Sequence, residues 1–155
     1  MSAPREDVRV FRRILVGFDG SRCGREAIRT GIEAASAAQG EVTVLIVVSA
    51  SHGETEEDRA AAFEAESATL QAAVEHELQV GIRGHTNSSV HVLAGDRPAE
   101  VLSSYAEERG FDLLVVGRHG RERAAHGGLG RTARELADKA RCPLLLVGYR
   151  DPDTA

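Results

Sequence analysis

The sequence predicts an α/β fold in which parallel strands form one sheet with helices on both faces. Aliphatic runs alternate along the chain with segments of helical periodicity, in the order β-α-β-α-β-α-β-α-β. These runs are apolar almost throughout, as expected for strands that are buried on both faces. The length of 155 residues fits a single domain.

The first half of the chain predicts two strands and two helices. An aliphatic run at 14–18 precedes Ser21, which is a good N-cap for a helix that Gly40 closes. A second strand covers 42–48 and a long helix covers about 56–79. The apolar face of that long helix consists of Phe63, Leu70, Val74 and Leu78.

The second half predicts three strands and two helices. The strands lie at about 89–94, 112–117 and 143–149. Pro98 suits the first turn of a third helix, which Gly110 ends. The fourth helix follows a glycine-rich segment and carries Ala133, Leu136, Ala137 and Ala140.

Charge and composition restrict the class of protein. We expect one domain over 11–150, between flexible ends at 1–10 and 151–155. The net charge of −5 argues against binding nucleic acid. No apolar run reaches the roughly 20 residues that a membrane span needs, and the N-terminus lacks a signal-peptide core. We therefore expect a cytoplasmic protein with neither a nucleic acid nor a membrane as its partner.

The glycine-rich segment is the strongest candidate for a binding site. Five glycines fall within fourteen residues, namely Gly117, Gly120, Gly127, Gly128 and Gly130. A strand, a glycine turn and a helix together present free N–H groups and the positive end of a helix dipole, which suit phosphate. The spacing matches neither a P-loop nor the GxGxxG fingerprint. On spacing alone, a phosphate site and a flexible loop both remain open.

Parallel sheets bind ligands at the carboxyl ends of their strands, where the strand order reverses. If the first and fourth strands are central neighbours, Asp19 and the glycine-rich segment face each other across one crevice. Cys23 then lies at the carboxyl end of the sheet and Cys142 at the amino end, so a disulfide between them is not expected.

The pattern Gly117-x2-Gly120-x9-Gly130 follows DLLVVG and precedes CPLLLV. With ILVGFDGS and VLAGDRPAEVL elsewhere in the chain, it resembles the signature of the universal stress protein family over residues 12–149. The resemblance implies a Rossmann-like sheet of five parallel strands in the order 3-2-1-4-5. It also implies a homodimer that pairs the fifth strands, through Leu144, Leu145, Leu146 and Val147.

Some members of this family bind ATP and others do not. The resemblance therefore implies either a regulatory protein that binds ATP or a related adenine nucleotide, or a dimeric interaction module that binds none. The implied nucleotide-binding residues are Phe18, Asp19, Gly20, Val47, Gly117, Arg118, Gly120, Gly130, Arg131 and Thr132. Phe18, Val47 and Val48 would flank adenine. Asp19 would contact the nucleoside or help to place Mg²⁺, although a turn or cap role is equally typical of aspartate.

Arg131 departs from the pattern of the family's ATP binders, which place Ser or Thr directly after the last glycine. Three outcomes are open for its side chain. It could grip phosphate through charge-assisted hydrogen bonds, it could crowd the phosphate site, or it could point to solvent.

Other polar residues near the glycine-rich segment give weaker signals. Arg118, Arg121 and Arg123 surround it with positive charge, which suits an anion or a solvated basic surface. His119 and His126 could approach phosphate, although a loop role is more typical. The six histidines show no spacing typical of metal ligands.

No nucleophile–base motif stands out in the sequence. We therefore expect no efficient enzyme, and at most slow hydrolysis of bound ATP. An adenylating enzyme is a weaker alternative, because 155 residues leave no separate segment for a second substrate.

Overall fold

A computed structural model describes residues 10–81, 86–121 and 128–149 of the chain. Its elements, in chain order, are β1 (Arg13–Phe18), α1 (Arg22–Ala37), β2 (Glu41–Val48), α2 (Glu56–Gly81), β3 (Asn87–Ala94), α3 (Pro98–Glu108), β4 (Leu113–Gly117), α4 (Arg131–Lys139) and β5 (Leu144–Val147). They form a five-stranded sheet in the order β3-β2-β1-β4-β5, and all neighbouring strands are parallel. The predicted fold class and strand order are confirmed.

The sheet separates two hydrophobic layers because alternate residues of each strand point to opposite faces. Helices α1 and α2 cover one face, and α3 and α4 cover the other. Ile14, Val16 and Phe18 of β1 pack in the first layer, whereas Leu15 packs in the second. The central strands are therefore buried on both faces, which explains their continuous apolar sequences.

The start of α1 follows the prediction, but its end does not. Ser21 caps the helix, and its Oγ accepts a hydrogen bond from the Gly24 N–H at 3.0 Å. At the other end, Gln39 adopts the left-handed conformation with φ of 53°. Gly40 therefore does not supply the left-handed residue at the helix end. Glycine is needed there because a Cβ would collide with the Arg12 carbonyl.

The fourth helix ends before Ala140, which the sequence placed in it. Ala137 is exposed on α4, and Ala140 lies beyond that helix as its C-cap, because α4 has only nine residues. His91 lies in the edge strand β3 and is exposed, and its ring centroid lies 6.4 Å from that of Tyr105.

The two cysteines are free thiols, with Cys23 buried and Cys142 partly buried. Burial raises the pKa of the Cys142 thiol and thus disfavours its thiolate. The expected flexible ends, 1–10 and 151–155, lie outside the described residues except for Val10. In the part of the chain that is described, no helix is long and apolar enough to cross a membrane.

Candidate functional site

A cavity of about 570 Å³ lies at the carboxyl ends of β1, β2 and β4. It is at the position where the strand order reverses, between β1 and β4, as expected for this class of sheet. Its volume falls within the range of about 300–1,000 Å³ that is typical of sites for small molecules and cofactors.

The floor of the cavity is apolar. It is made by side chains on the face covered by α3 and α4, including Leu45, Val47, Leu102 and Val116. Gly17 completes this floor, and a Cβ there would lie 2.8 Å from a methyl carbon of Leu102. The floor can therefore accept a flat apolar group.

Of the three residues expected to flank adenine, the structure places two at the cavity. Phe18 and Val47 line it, but the side chain of Phe18 packs in the opposite hydrophobic layer, as that of Val48 does. Val48 points away because it is next to Val47 in the same strand and so faces the other side of the sheet.

One wall of the cavity is the turn at 117–120, which the glycines allow to pack closely on its neighbours. A Cβ at Gly117 would lie 2.6 Å from the Cβ of Cys23, and a Cβ at Gly120 would lie 3.0 Å from Oδ2 of Asp19. The Gly130 N–H donates to the Arg118 carbonyl at 2.7 Å. This bond brings the two ends of the glycine-rich segment together beside the cavity.

The first residues of α4 form the adjoining wall. Gly130 is the N-cap and provides no side-chain acceptor, while Arg131, Thr132 and Ala133 line the cavity. The first N–H groups of a helix have no partner within it, and the helix dipole adds partial positive charge there. The turn and the start of α4 together form a surface suited to an anion.

Asp19 lines the cavity opposite the glycine turn. Its Oδ1 accepts a hydrogen bond from the Ser21 N–H at 2.9 Å, which is the turn role that the sequence left open. Its main-chain carbonyl accepts a hydrogen bond from Nε of Arg121. Asp19 thus stabilises the turn before α1 while its second carboxylate oxygen remains directed at Gly120.

The side chain of Arg131 takes the third of the outcomes left open by the sequence, since it points to solvent. It is 88% exposed, and its Nε pairs with Oε1 of Glu135, one helical turn along α4, at 3.0 Å. It therefore neither plugs the cavity nor reaches across it. Arg118, which is also exposed, lines the cavity together with Gly120 and Gly130.

Gly20 lies outside the cavity. Its φ of +89° is left-handed, and a Cβ there would lie 2.9 Å from Leu70 of α2. The turn between β1 and α1 thus requires glycine at this position for its backbone conformation.

Part of the positive charge expected around the glycine turn is neutralised by an ion pair within the protein. Arg121 pairs with Glu66 of α2 at 3.0 Å. Nδ1 of His119 is buried without a hydrogen-bond partner among the described residues. Arg123, His126 and Gly127 lie outside the described residues.

A second polar group, which the sequence analysis missed, lies at the other end of the cavity. Ser49 and His52 follow β2, Asp96 follows β3, and all three line the cavity. Oδ1 of Asp96 accepts hydrogen bonds from the hydroxyls of Ser49 and Ser51, both at 2.6 Å. The sequence could have indicated this group only through the position of its members directly after two strands, because the carboxyl ends of parallel strands meet at one edge of the sheet.

Within the described ranges, no group of three or more His, Cys, Asp or Glu side chains is arranged to hold a metal ion. The carboxylate of Asp19 lines the cavity beside the glycine turn, with its Oδ2 3.0 Å from the position that a Cβ on Gly120 would take. Any Mg²⁺ would therefore need ligands from a bound phosphate.

The strand order and the cavity at its switch point define a doubly wound α/β domain. A sequence model of the Universal stress protein family matches residues 11–148. The chain therefore belongs to this family.

Individual relatives share the fold at low sequence identity. "Universal stress protein YxiE" of Bacillus subtilis (strain 168) is 24% identical in an alignment of 152 positions, which covers 89% of this chain and 99% of the relative. The solved structure of "Universal stress protein UspA from Lactobacillus plantarum" is 24% identical, with a TM-score of 0.82 over 90% of this chain and 99% of that one.

Some structural neighbours contain adenine nucleotides. A universal stress protein in complex with cAMP is 21% identical, with a TM-score of 0.70 over 90% of this chain and 98% of that one. The universal stress protein from Archaeoglobus fulgidus in complex with dAMP is 19% identical, with a TM-score of 0.66 over 90% of this chain and 99% of that one. A universal stress protein family protein from Arabidopsis thaliana with AMP bound is 18% identical, with a TM-score of 0.63 over 93% of this chain and 95% of that one.

Proposed function

We propose that this universal stress protein is a regulatory protein that binds ATP or a related adenine nucleotide in the cavity described above. The phosphate groups would contact the turn at 117–120 and the first N–H groups of α4. The base would lie over the apolar floor near Val47, next to the end of β1 at Phe18.

One observation carries the proposal. A single cavity of about 570 Å³ combines an apolar floor with a glycine turn and an uncapped helix start. A nucleotide has the matching composition, with a flat base at one end and phosphate at the other. The neighbours that contain cAMP, dAMP and AMP support the choice of adenine.

Charge near the turn supports an anionic ligand. The chain carries a formal net charge of −5, yet Arg118 and Arg121 both line the cavity. Phosphate would also bring Asp19 and a ligand oxygen close together, which favours a bridging Mg²⁺ held by one carboxylate and the phosphates. Asp19 is therefore the proposed protein ligand for such an ion.

Two measurements on wild-type protein test the proposal. Mass spectrometry of a purified, denatured sample would detect a co-purifying adenine nucleotide. Mg-ATP added at a hundredfold excess over Kd should stabilise the folded protein by about 2.7 kcal/mol and so raise its melting temperature. No nucleotide and no thermal shift with ATP, AMP or cAMP would contradict the proposal.

The alternative, an interaction module without nucleotide, is favoured by one feature of the site. Arg131 brings no hydroxyl to the first turn of α4, and the Gly130 N–H is already bonded to Arg118. The same two measurements separate these functions, since the module would show neither ligand nor thermal shift.

We also propose that the protein forms a homodimer by pairing its fifth strands. β5 lies at an edge of the sheet, and its Leu145 is 38% exposed. An exposed apolar edge strand is a template for pairing with a second chain.

The opposite edge of the sheet supplies a matched control for this test. Leu93 on β3 is also 38% exposed. Leu145→Glu should convert the dimer to monomer in light scattering coupled to gel filtration, whereas Leu93→Glu should leave it dimeric. A monomeric wild type, or a dimer that only Leu93→Glu disrupts, would contradict the proposed interface.

A further inference from the structure

We propose that Asp96 selects the base of the ligand by accepting a hydrogen bond from its amino group. The proposal rests on nucleotide binding in the cavity and adds a residue that discriminates between bases. It assigns a binding role to a group of side chains, Ser49, Ser51 and Asp96, that lies away from the glycine turn.

The carboxylate of Asp96 is held in one orientation by its neighbours. Both serine hydroxyls donate to Oδ1, and the two hydroxyl oxygens lie 2.8 Å apart. The Ser51 N–H also donates to Oγ of Ser49 at 3.3 Å. These bonds connect the segment after β2 to the segment after β3.

None of the described residues donates a hydrogen bond to the second carboxylate oxygen of Asp96, Oδ2. An ionised carboxylate only accepts hydrogen bonds, and each of its oxygens has room for two. The hydrogen bonds from Ser49 and Ser51, with the positive charge of nearby His52, lower the pKa of Asp96. The carboxylate is therefore ionised at neutral pH and available to a hydrogen-bond donor.

The position of Asp96 matches the base end of a nucleotide. The proposed phosphate site follows β4, whereas Asp96 follows β3, and β1 and β2 lie between them. With strands spaced about 4.8 Å apart, the two ends are separated by two to three spacings, or roughly 10–14 Å. In a nucleotide the ribose hydroxyls lie next to the phosphate, while the amino group of adenine lies at the far end.

The chemistry of the carboxylate then discriminates between purines. A 6-amino group can donate to Oδ2, whereas the 6-oxo group of hypoxanthine would place an acceptor against an anion. Asp96 is exposed at the rim of the cavity, so the bound base itself would cover the carboxylate, and an analogue without the donor would leave that carboxylate unpaired. Since hydrogen bonds to charged groups are the stronger ones, we expect at least about a tenfold preference for AMP over IMP.

Calorimetric titration of AMP and IMP into wild-type protein and Asp96→Asn tests this assignment. Asparagine keeps an acceptor for the two serines but can present an N–H₂ donor to the ligand. The preference for AMP should fall by about tenfold or reverse in this variant. Asp138→Asn, which alters an exposed carboxylate on α4, should retain the wild-type preference.

The outcomes distinguish this inference from the proposed function. If AMP binds wild type but the AMP:IMP ratio is the same in Asp96→Asn, the role of Asp96 is wrong and nucleotide binding stands. If neither ligand binds wild type, both are wrong. Titration with dAMP separates base from sugar, because a large loss of affinity for dAMP that disappears in Asp96→Asn would mean that Asp96 binds the ribose and not the base.

Discussion

The two ends of the cavity are built from different parts of the chain. The end at the glycine turn is mainly backbone, with Gly120 and Gly130 leaving room for main-chain groups. The end at Asp96 consists of side chains that hydrogen-bond one another. Main-chain N–H groups bind any phosphate, whereas an oriented side chain can distinguish one base from another. In the proposed complex, the first end would therefore provide affinity and the second selectivity.

The largest effect should come from closing the backbone end. A Cβ at Gly130 would lie 3.3 Å from the Arg118 oxygen and the Gly120 nitrogen, so valine would push the two parts of this wall apart. Losing two phosphate hydrogen bonds of about 1.5 kcal/mol each weakens binding by roughly a hundredfold. We expect that loss for Gly130→Val in calorimetry with ATP.

Gly128→Val is the matched control. Among the described residues, a Cβ at Gly128 would meet only Arg134, at 3.8 Å, so this variant should bind ATP as wild type does. Circular dichroism should show a folded protein in both cases. Equal affinity in Gly130→Val would mean that the turn does not hold the ligand.

Asp19→Ala should have the next largest effect, because it removes the proposed ligand for Mg²⁺ and the acceptor of the Ser21 N–H. We expect about a tenfold loss of ATP affinity in the presence of Mg²⁺, with a smaller loss when EDTA replaces the metal. A Mg²⁺ titration identical to that of wild type would exclude the metal role and leave only the turn role.

Arg131→Ala should change ATP affinity by less than about threefold, because an exposed ion pair contributes little. Its side chain is directed at Glu135 and away from the cavity. Arg131→Ser should bind at least as tightly as wild type, since a hydroxyl at this helix start can reach an anion. A tenfold loss in Arg131→Ala would show that the arginine turns inward to grip phosphate.

The smallest effect concerns pH and is confined to the side-chain end. The lowered pKa of Asp96 means that its hydrogen bonds stabilise the fold above the unfolded value of about 3.9. This stabilisation is lost as pH falls through the folded value. The melting temperature of Asp96→Asn should therefore fall less than that of wild type between about pH 5 and pH 3. Parallel curves for the two proteins would contradict this.

The backbone end could be predicted from the sequence. Gly117, Gly120 and Gly130 are close in the chain, and each permits an approach that a side chain would block. Their spacing alone left a flexible loop open, and the resemblance to the family signature favoured a phosphate site. The fold was predictable as well, because burial on both faces produces continuous apolar runs in β1, β2 and β4.

The side-chain end could not be recognised in the same way. Ser49 and Asp96 are 47 residues apart, and they meet only because β2 and β3 are neighbours in the sheet. A serine or an aspartate after a strand is common and has no characteristic spacing. By contrast, the orientation of Arg131 had a local signal in Glu135, since residues four apart on a helix pair readily.

The most direct test of the central claim, that main-chain N–H groups bind phosphate, is a ¹⁵N NMR titration that follows individual amides. AMP should shift the amide resonances of Gly120, Arg131 and Thr132 strongly, whereas adenosine, which lacks phosphate, should leave them nearly unchanged. If AMP binds and these three amides do not move, the phosphate lies elsewhere and the account is wrong.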